Sequence, residues 1–128
     1  MQVLIVVLAL AILAYLVWRL WKPVVAPKRE VKKDHANLYF FHTDWCGFCK
    51  KAAPEWEALQ SGPSTFGTTT VTFVSVDCDK EKATCDLYAV SGYPTIKLET
   101  STGLYEYTKQ VTQEKLLAFL RESLGKEA

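Results

Sequence analysis

The chain has 128 residues, of which 23% are charged and 49% hydrophobic, and its formal net charge at pH 7 is +1. This length suits one small domain rather than several. The near-zero net charge provides no strong electrostatic attraction to nucleic acid or to an acidic partner, so we expect no nucleic-acid binding. The function must therefore be sought in local motifs.

The first 21 residues form an apolar segment. Residues 3–18 are uninterrupted and apolar except for Tyr15, and together with Leu20 and Trp21 they can span a bilayer core. A cleaved signal peptide would have a basic n-region and a small-residue cleavage site, and neither is evident. A buried helix of a soluble protein would show a polar face, which this segment lacks. The segment therefore predicts an uncleaved, single-pass membrane anchor over residues 1–21.

Residues 22–36 have a different composition, with two prolines, six charges of mixed sign between positions 28 and 34, and little apolar content. This pattern is typical of a solvated linker, and we predict that it holds the following domain off the membrane. A lipid-binding role for its basic side chains is disfavoured because Glu30 and Asp34 dilute the positive charge.

A cysteine pair lies between a predicted strand and a predicted helix. Residues 37–42 are apolar and aromatic, which indicates a buried strand. In residues 50–59 apolar side chains recur at three-residue spacing, which indicates a helix that Pro54 would kink. The intervening motif is Asp44-Trp45-Cys46-Gly47-Phe48-Cys49.

Two cysteines three apart at the start of a helix suit dithiol–disulfide exchange. The sulfur of Cys46 would lie at the helix N-terminus, where unpaired backbone N–H groups and the positive end of the dipole stabilise a thiolate. The thiolate is the form that attacks a disulfide. A zinc site built from all four cysteines is disfavoured because Cys78 and Cys85 are too widely spaced for one of the usual close pairs. We therefore expect no metal and no soluble cofactor.

The middle of the chain predicts a loop, a strand and a helix. Residues 61–70 are rich in Gly, Ser and Thr and predict a loop. Residues 71–76 are β-branched and alternate in part, which predicts a second core strand. Residues 77–89 predict a short helix.

The C-terminal part predicts a hairpin and a last helix. Residues 96–99 and 104–107 alternate on either side of a turn that contains Gly103, which is a signature of antiparallel edge strands. Thr112 is a plausible N-cap for a final helix with an apolar stripe that packs on the core. The stripe consists of Leu116, Leu117, Phe119, Leu120 and Leu124.

Several motifs occur in a defined order and at defined separations. They are Trp45-Cys46-Gly47-x-Cys49-Lys50 with Ala53-Pro54, then Val76-Asp77-Cys78, Cys85, and Val90-Ser91-Gly92-Tyr93-Pro94-Thr95. In these motifs, over residues 37–125, the chain resembles the thioredoxin superfamily and, within it, the catalytic domains of protein disulfide isomerases. The resemblance implies a thioredoxin-like α/β fold for residues 37–128, a central mixed sheet flanked by helices in the order βαβαββα. We expect the first strand and helix of complete family members to be short or missing, because residues 22–36 have little apolar content.

The resemblance also implies roles for the motif residues. It makes Cys46 the nucleophile and Cys49 the resolving thiol. It implies protein thiols or disulfides as substrates and a separate reductant or oxidant that recycles the pair. Pro94 matches the cis-proline of the family, and Tyr93 would flank the substrate groove. The implied substrate-binding residues are Trp45, Gly47, Phe48, Tyr93 and Pro94.

The second cysteine pair is one of the features that indicate which side of the membrane the domain occupies. Cys78 and Cys85 match a pair that forms a structural disulfide in many isomerase domains, and two free thiols are the alternative. The basic residues after the apolar segment place the domain in the cytoplasm by the positive-inside rule. The isomerase resemblance and the second pair favour an oxidising space instead, the endoplasmic reticulum lumen or the exterior. We favour the cytoplasmic side and keep the other as the alternative.

Some positions depart from the isomerase pattern. Phe40 stands in place of the buried carboxylate that helps move the proton of the resolving cysteine. His42 and Asp44 follow closely, but the sequence leaves open which faces they occupy. Phe48 stands in place of a histidine, and Val111 in place of an arginine.

These departures leave two interpretations. The first is a membrane-anchored thiol-disulfide oxidoreductase that acts on proteins through Cys46 and Cys49. The alternative is a redox-inactive adaptor of the same fold that binds a partner protein at the surface of Trp45 and Tyr93.

Overall fold

The computed structural model describes residues 1–21 and 31–125, so most of the predicted linker, residues 22–30, lies outside the described residues. Residues 31–34, the described part of the chain directly before the first strand, contain neither helix nor strand. The elements in chain order are α1 (Gln2–Leu20), β1 (His35–His42), α2 (Gly47–Gln60), β2 (Thr65–Phe66), β3 (Thr69–Asp77), α3 (Lys82–Leu87), β4 (Thr95–Thr100), β5 (Gly103–Tyr107) and α4 (Gln113–Leu124).

Strand β1 is the central strand of a five-stranded sheet with the order β2-β3-β1-β4-β5. It pairs parallel with β3 and antiparallel with β4. The parallel pair requires a crossover connection, which contains α2. The expected fold class, a mixed sheet flanked by helices, is therefore confirmed.

Both faces of β1 are buried because its side chains alternate between two apolar clusters. Leu38 and Phe40 belong to the larger cluster, which includes Trp56 of α2 and the buried leucines of α4. Tyr39 and Phe41 belong to the smaller cluster, which includes the α3 segment. A strand buried on both faces has a continuous apolar sequence, which explains why this strand was predictable.

Residues 61–70 are not the simple loop that the sequence predicted. They contain β2 and the first residues of β3, which pair antiparallel. The side chain of Phe66 in β2 is fully buried in the larger cluster. Gly67 has φ +60° and begins the two-residue turn between the strands, a position where glycine is favoured. A strand of two residues is too short to produce a recognisable hydrophobic period.

The predicted hairpin is confirmed, but β4 is not an edge strand. It lies between β1 and β5, and the two edges of the sheet are β5 and β2. Lys97 of β4 is only 8% exposed, and its Nζ donates to the Tyr88 carbonyl oxygen at 2.6 Å. The Glu99 carboxylate accepts from the Tyr39 hydroxyl at 3.0 Å. These polar side chains are therefore satisfied by protein partners rather than by solvent.

Tyr88 connects the predicted short helix, observed as α3, to the sheet. Its hydroxyl lies 3.0 Å from the Tyr39 hydroxyl and 3.2 Å from Glu99 Oε1. Burial, and then the hydrogen bond with Tyr39, raise the pKa of Tyr88 above its usual value. A tyrosine hydroxyl is protonated at neutral pH even without this shift, so Tyr88 can donate to these partners.

Helix α4 begins where the sequence predicted. The Thr112 side chain accepts a hydrogen bond from the Lys115 N–H at 3.3 Å, as an N-cap does. Leu116 and Leu120 of the predicted stripe are fully buried. The other stripe residues, Leu117, Phe119 and Leu124, are partly buried against the same cluster.

Helix α1 is exposed along its whole length, and none of the residues Gln2–Leu20 is buried. Among the described residues it is the one helix long and apolar enough to cross a membrane. A signal sequence near an N-terminus has the same length and composition. The helix therefore agrees with a membrane anchor, but its length and composition agree equally with a signal sequence.

We expect Gly67→Ala to destabilise the domain. A φ of +60° is strained for alanine, and the added Cβ would lie 2.9 Å from the Leu124 carbonyl oxygen. The free energy of unfolding should fall by about 1–3 kcal/mol, measured by denaturant titration of the full chain in detergent. The control is Gly103→Ala, whose Cβ would meet Tyr105 at an ordinary 3.9 Å. Equal stability of Gly67→Ala and wild type would contradict the prediction.

Candidate active site

Cys46 is the N-cap residue of α2. Its backbone is extended, with φ −78° and ψ 112°, and its Sγ accepts a hydrogen bond from the Cys49 N–H at 3.1 Å. The first amides of a helix have no partner inside the helix, so the sulfur takes the place of the usual capping oxygen. The same amides and the helix dipole favour negative charge on this sulfur once the pair is reduced. The first cysteine therefore lies where the sequence predicted it.

Cys46 and Cys49 are joined by a disulfide, with their Cα atoms 5.2 Å apart. The two residues are only 6% and 4% exposed. The flanking side chains of Trp45 and Phe48 are 69% and 73% exposed. A partner that approaches the disulfide consequently meets two aromatic rings.

Tyr93 and Pro94 lie between α3 and β4 and are joined by a cis peptide bond. The Tyr93 ring is perpendicular to the Trp45 ring, with the centroids 5.9 Å apart, an arrangement that aromatic pairs favour. Gly47 is exposed at the start of α2, and a Cβ there would meet no atom within 4 Å. The fold thus brings the two ends of the predicted substrate surface together, although they are distant in sequence.

The second cysteine pair lies elsewhere in the domain. Cys78 directly follows β3 and Cys85 lies in α3, with their sulfurs 2.08 Å apart in a disulfide. Both residues are buried in the smaller cluster. The Cys78 N–H also donates to the His42 carbonyl oxygen at 2.8 Å, which ties this segment to the end of β1. Within residues 1–21 and 31–125, no group of three or more His, Cys, Asp or Glu side chains could hold a metal ion.

A cleft of about 350 Å³ opens beside Cys49. One wall is Phe40, which is 3% exposed and whose ring stacks on Trp56 at 5.1 Å and on His42 at 5.3 Å between centroids. The place of the isomerase carboxylate is thus occupied by a closed stack of rings. The ionisable side chains that line the cleft, apart from Cys49, are His42, Asp44, Lys50 and Glu57.

Ser75 and Glu57 are among the cleft residues that were not singled out from the sequence. Ser75 reaches the cleft because the parallel register pairs Ser75 with Phe40, and its Oγ lies 3.0 Å from His42 Nε2. Register between strands distant in sequence leaves no local signal. Glu57 lies eight residues after Cys49, about two helical turns, and that spacing could have placed both on one side of α2.

A comparison with known families decides the classification of the chain. A family model described as Thioredoxin matches residues 26–122. The chain belongs to the thioredoxin family. The mixed sheet, the cysteine pair at the start of α2 and the cis bond before Pro94 agree with this membership.

Several relatives of this thioredoxin-family chain are protein disulfide isomerases. It is 42% identical over 95 residues to protein disulfide isomerase-like 2-1 of Oryza sativa subsp. japonica, which covers 73% of this chain and 25% of that protein. It is 46% identical over 71 residues to probable protein disulfide-isomerase A6 of Medicago sativa, covering 55% of this chain and 19% of that protein. The first thioredoxin domain of mouse protein disulfide-isomerase A4 has a similar solution structure, with TM-score 0.60 and 33% identity, covering 71% of this chain and 64% of that chain. The chain spans about a quarter of the length of the first of these relatives.

We expect Phe48→His to make Cys46 reactive at lower pH. A protonated imidazole in the first turn of α2 would stabilise a thiolate at the adjacent helix N-terminus. The pH at which half of Cys46 alkylates, followed by mass spectrometry of the reduced full chain, should fall by a few tenths of a pH unit. Phe48→Asn introduces polarity without a titrating charge and serves as the control. An identical midpoint for histidine and asparagine at this position would contradict the prediction.

Proposed function

We propose that the protein is a membrane-anchored thiol-disulfide oxidoreductase that exchanges disulfides with protein substrates. The observation that carries this proposal is the hydrogen bond from the Cys49 N–H to Cys46 Sγ at the N-terminus of α2. A sulfur in this position is stabilised as a thiolate, and a second cysteine lies close enough to bond to it. The relatives named protein disulfide isomerase support the same reaction class.

The reaction uses the two sulfurs in sequence. The Cys46 thiolate attacks a disulfide of the partner and forms a mixed disulfide. Cys49 then attacks the Cys46 sulfur, which forms the Cys46–Cys49 disulfide and releases the partner in reduced form. The reverse sequence oxidises a dithiol. No soluble cofactor takes part, but a separate reductant or oxidant must restore the starting state of the pair.

The substrate contacts an aromatic surface around the disulfide. Trp45 and Phe48 are exposed, and Trp45 packs edge-to-face on Tyr93. Exposed aromatic rings provide apolar contact area for a protein chain at little cost in conformational entropy. We assign substrate binding to Trp45, Gly47, Phe48, Tyr93 and Pro94.

The chain is organised as an anchor over residues 1–21, a linker, and a thioredoxin domain that continues to residue 128. The predicted boundary between residues 36 and 37 lies two residues too late, because β1 begins at His35 and Ala36 is fully buried. The 19 exposed residues of α1 support the anchor. The basic residues that follow α1 favour a domain on the cytoplasmic side. The buried Cys78–Cys85 pair braces α3 as a structural disulfide, and it is the feature that favours the lumen of the endoplasmic reticulum or the exterior.

A redox-inactive adaptor is the second candidate. The apolar stack at Phe40, in place of a carboxylate, favours it because the resolving cysteine then has no buried acid beside it. An adaptor would bind its partner through Trp45 and Tyr93 whatever the oxidation state of Cys46.

The two candidates differ in the cysteine variants of the full chain. We expect Cys46→Ser to abolish exchange with a disulfide-containing protein, because the attacking sulfur is lost. Cys49→Ser should accumulate mixed disulfides at Cys46, seen as reducible adducts on non-reducing gels. The control is Cys78→Ala with Cys85→Ala, which should keep the active pair. Wild-type exchange in both single variants would contradict the oxidoreductase, and partner binding unchanged in Cys46→Ala would favour the adaptor.

The side of the membrane can be measured in sealed vesicles of known orientation. A membrane-impermeant maleimide should label reduced Cys46 only from the cytoplasmic side, while detergent should expose it from either side. Labelling only from the opposite side would place the domain in the lumen or exterior. Release of the domain from the vesicles without detergent would contradict the anchor.

A further inference from the structure

The step that reforms the Cys46–Cys49 disulfide needs a base. Cys49 must lose its thiol proton before its sulfur attacks, because the thiolate is the nucleophile. Cys49 is 4% exposed, so bulk solvent has little direct access to it. The cleft beside Cys49 provides the route by which this proton can leave.

We propose that His42 accepts the proton of Cys49 through water held in this cleft. The proposal rests on the oxidoreductase function proposed above. His42 is half-buried at the end of β1 and lines the same cleft as Cys49. Its ring is held on one side by the stack on Phe40 and at Nε2 by Ser75 Oγ, 3.0 Å away. When Nε2–H donates to Ser75, Nδ1 is left as the proton acceptor.

Two buried polar atoms support a hydrated path. Thr43 Oγ1 and Trp56 Nε1 are buried and have no hydrogen-bond partner among the described residues. Both residues line the cleft. Buried polar groups ordinarily bond to protein or to ordered water, and a cleft of about 350 Å³ with several polar neighbours is large enough for water. Water that satisfies these two atoms would lie in the cleft that Cys49 and His42 both line.

The other charged groups around His42 are less suited to the role. Three charged residues line the cleft but are exposed: Asp44 and Lys50, which flank the cysteine motif, and Glu57 of α2. A fourth, Asp77 of β3, is the register partner of His42. Carboxylates are weak bases at neutral pH, and a lysine ammonium already carries its proton. An imidazole both accepts and releases a proton between about pH 5 and 8.

The complete step is balanced without an added reagent. The Cys49 proton passes through water to His42 Nδ1, and the Cys49 thiolate attacks the Cys46 sulfur of the mixed disulfide. The Cys46–Cys49 bond forms while the bond from Cys46 to the partner sulfur breaks, and the electron pair leaves on the partner as a thiolate. The imidazolium then returns its proton to solvent. Ser75 acts as a positioning residue, because it contacts only His42 in this sequence of events.

The test isolates this step in the full chain in detergent. Reduced protein is treated at acidic pH with a nitroaromatic disulfide reagent, which leaves a nitrothiobenzoate bound to Cys46 as a colourless mixed disulfide, and excess reagent is removed. A jump to higher pH starts the attack by Cys49, which releases the nitrothiobenzoate as a coloured free thiolate. The rate at which the colour appears measures that attack. We expect a wild-type rate that rises through the histidine range, between about pH 5 and 8. In His42→Gln the rate near neutral pH should fall roughly 10²-fold and rise only at the higher pH where a thiol ionises unaided.

Matched variants separate proton transfer from structural effects. Glu57→Gln alters a neighbouring ionisable residue of the same cleft and should keep the wild-type rate and pH profile. Ser75→Ala should lower the rate less than His42→Gln does while keeping the histidine-range profile. If His42→Gln lowers the unfolding temperature and His42→Asn does not, the measurement is made with His42→Asn instead.

Each outcome decides the proposal. A wild-type pH profile in a folded His42 variant would overturn it, as would a loss of the profile in Glu57→Gln alone. Failure of wild-type Cys46 to take up the aromatic thiol, or of Cys49 to release it at any pH, would instead remove the oxidoreductase function on which the proposal rests.

Discussion

The burial of both faces of β1 controls where the chemistry of this protein takes place. Leu38 and Phe40 pack on the α2 and α4 side, while Tyr39 and Phe41 pack on the α3 side, so the strand has no freedom to slide or rotate. Its C-terminal end is consequently a fixed point in the domain. The chain leaves this point and enters α2 within a few residues, which makes Cys46 the N-cap. Apolar packing thus positions a helix end that stabilises an anionic sulfur.

The same packing determines where ionisable side chains lie around Cys49. A continuous stack of rings runs from Trp56 through Phe40 to His42 along one wall of the cleft. An aromatic residue in the middle of this stack leaves no room for a buried charge, so the first ionisable group in the stack is an imidazole at the strand end. Its contact with Ser75 depends on the parallel pairing of β1 with β3. In the mechanism proposed above, the proton of Cys49 therefore leaves at the strand end rather than through the core.

The central sheet also separates the two cysteine pairs. The Cys46–Cys49 pair lies at the start of α2, where Cys49 lines the cleft with Phe40 and Trp56. The Cys78–Cys85 pair is buried in the smaller cluster with Tyr88. Polar contacts on the α3 side hold that face together, because Lys97 donates to the Tyr88 carbonyl and Glu99 accepts from the Tyr39 hydroxyl. The α3 segment is thereby fixed to the sheet independently of the reactive pair.

The sequence by itself determined the apolar N-terminal segment, the strand before the cysteine motif, the helix that starts at Cys46, the hairpin and the motif order that identifies the family. Each of these depends on residues close together in the chain, where hydrophobic period, capping and spacing are visible. Only the tertiary structure decided that β2 exists, that β4 is internal, and that His42 and Ser75 meet beside Cys49. These features depend on strand register and on contacts between segments that are distant in sequence. The sequence alone also does not distinguish a buried lysine such as Lys97 from a solvated one, because its hydrogen-bond partner, the Tyr88 carbonyl oxygen, lies in another element.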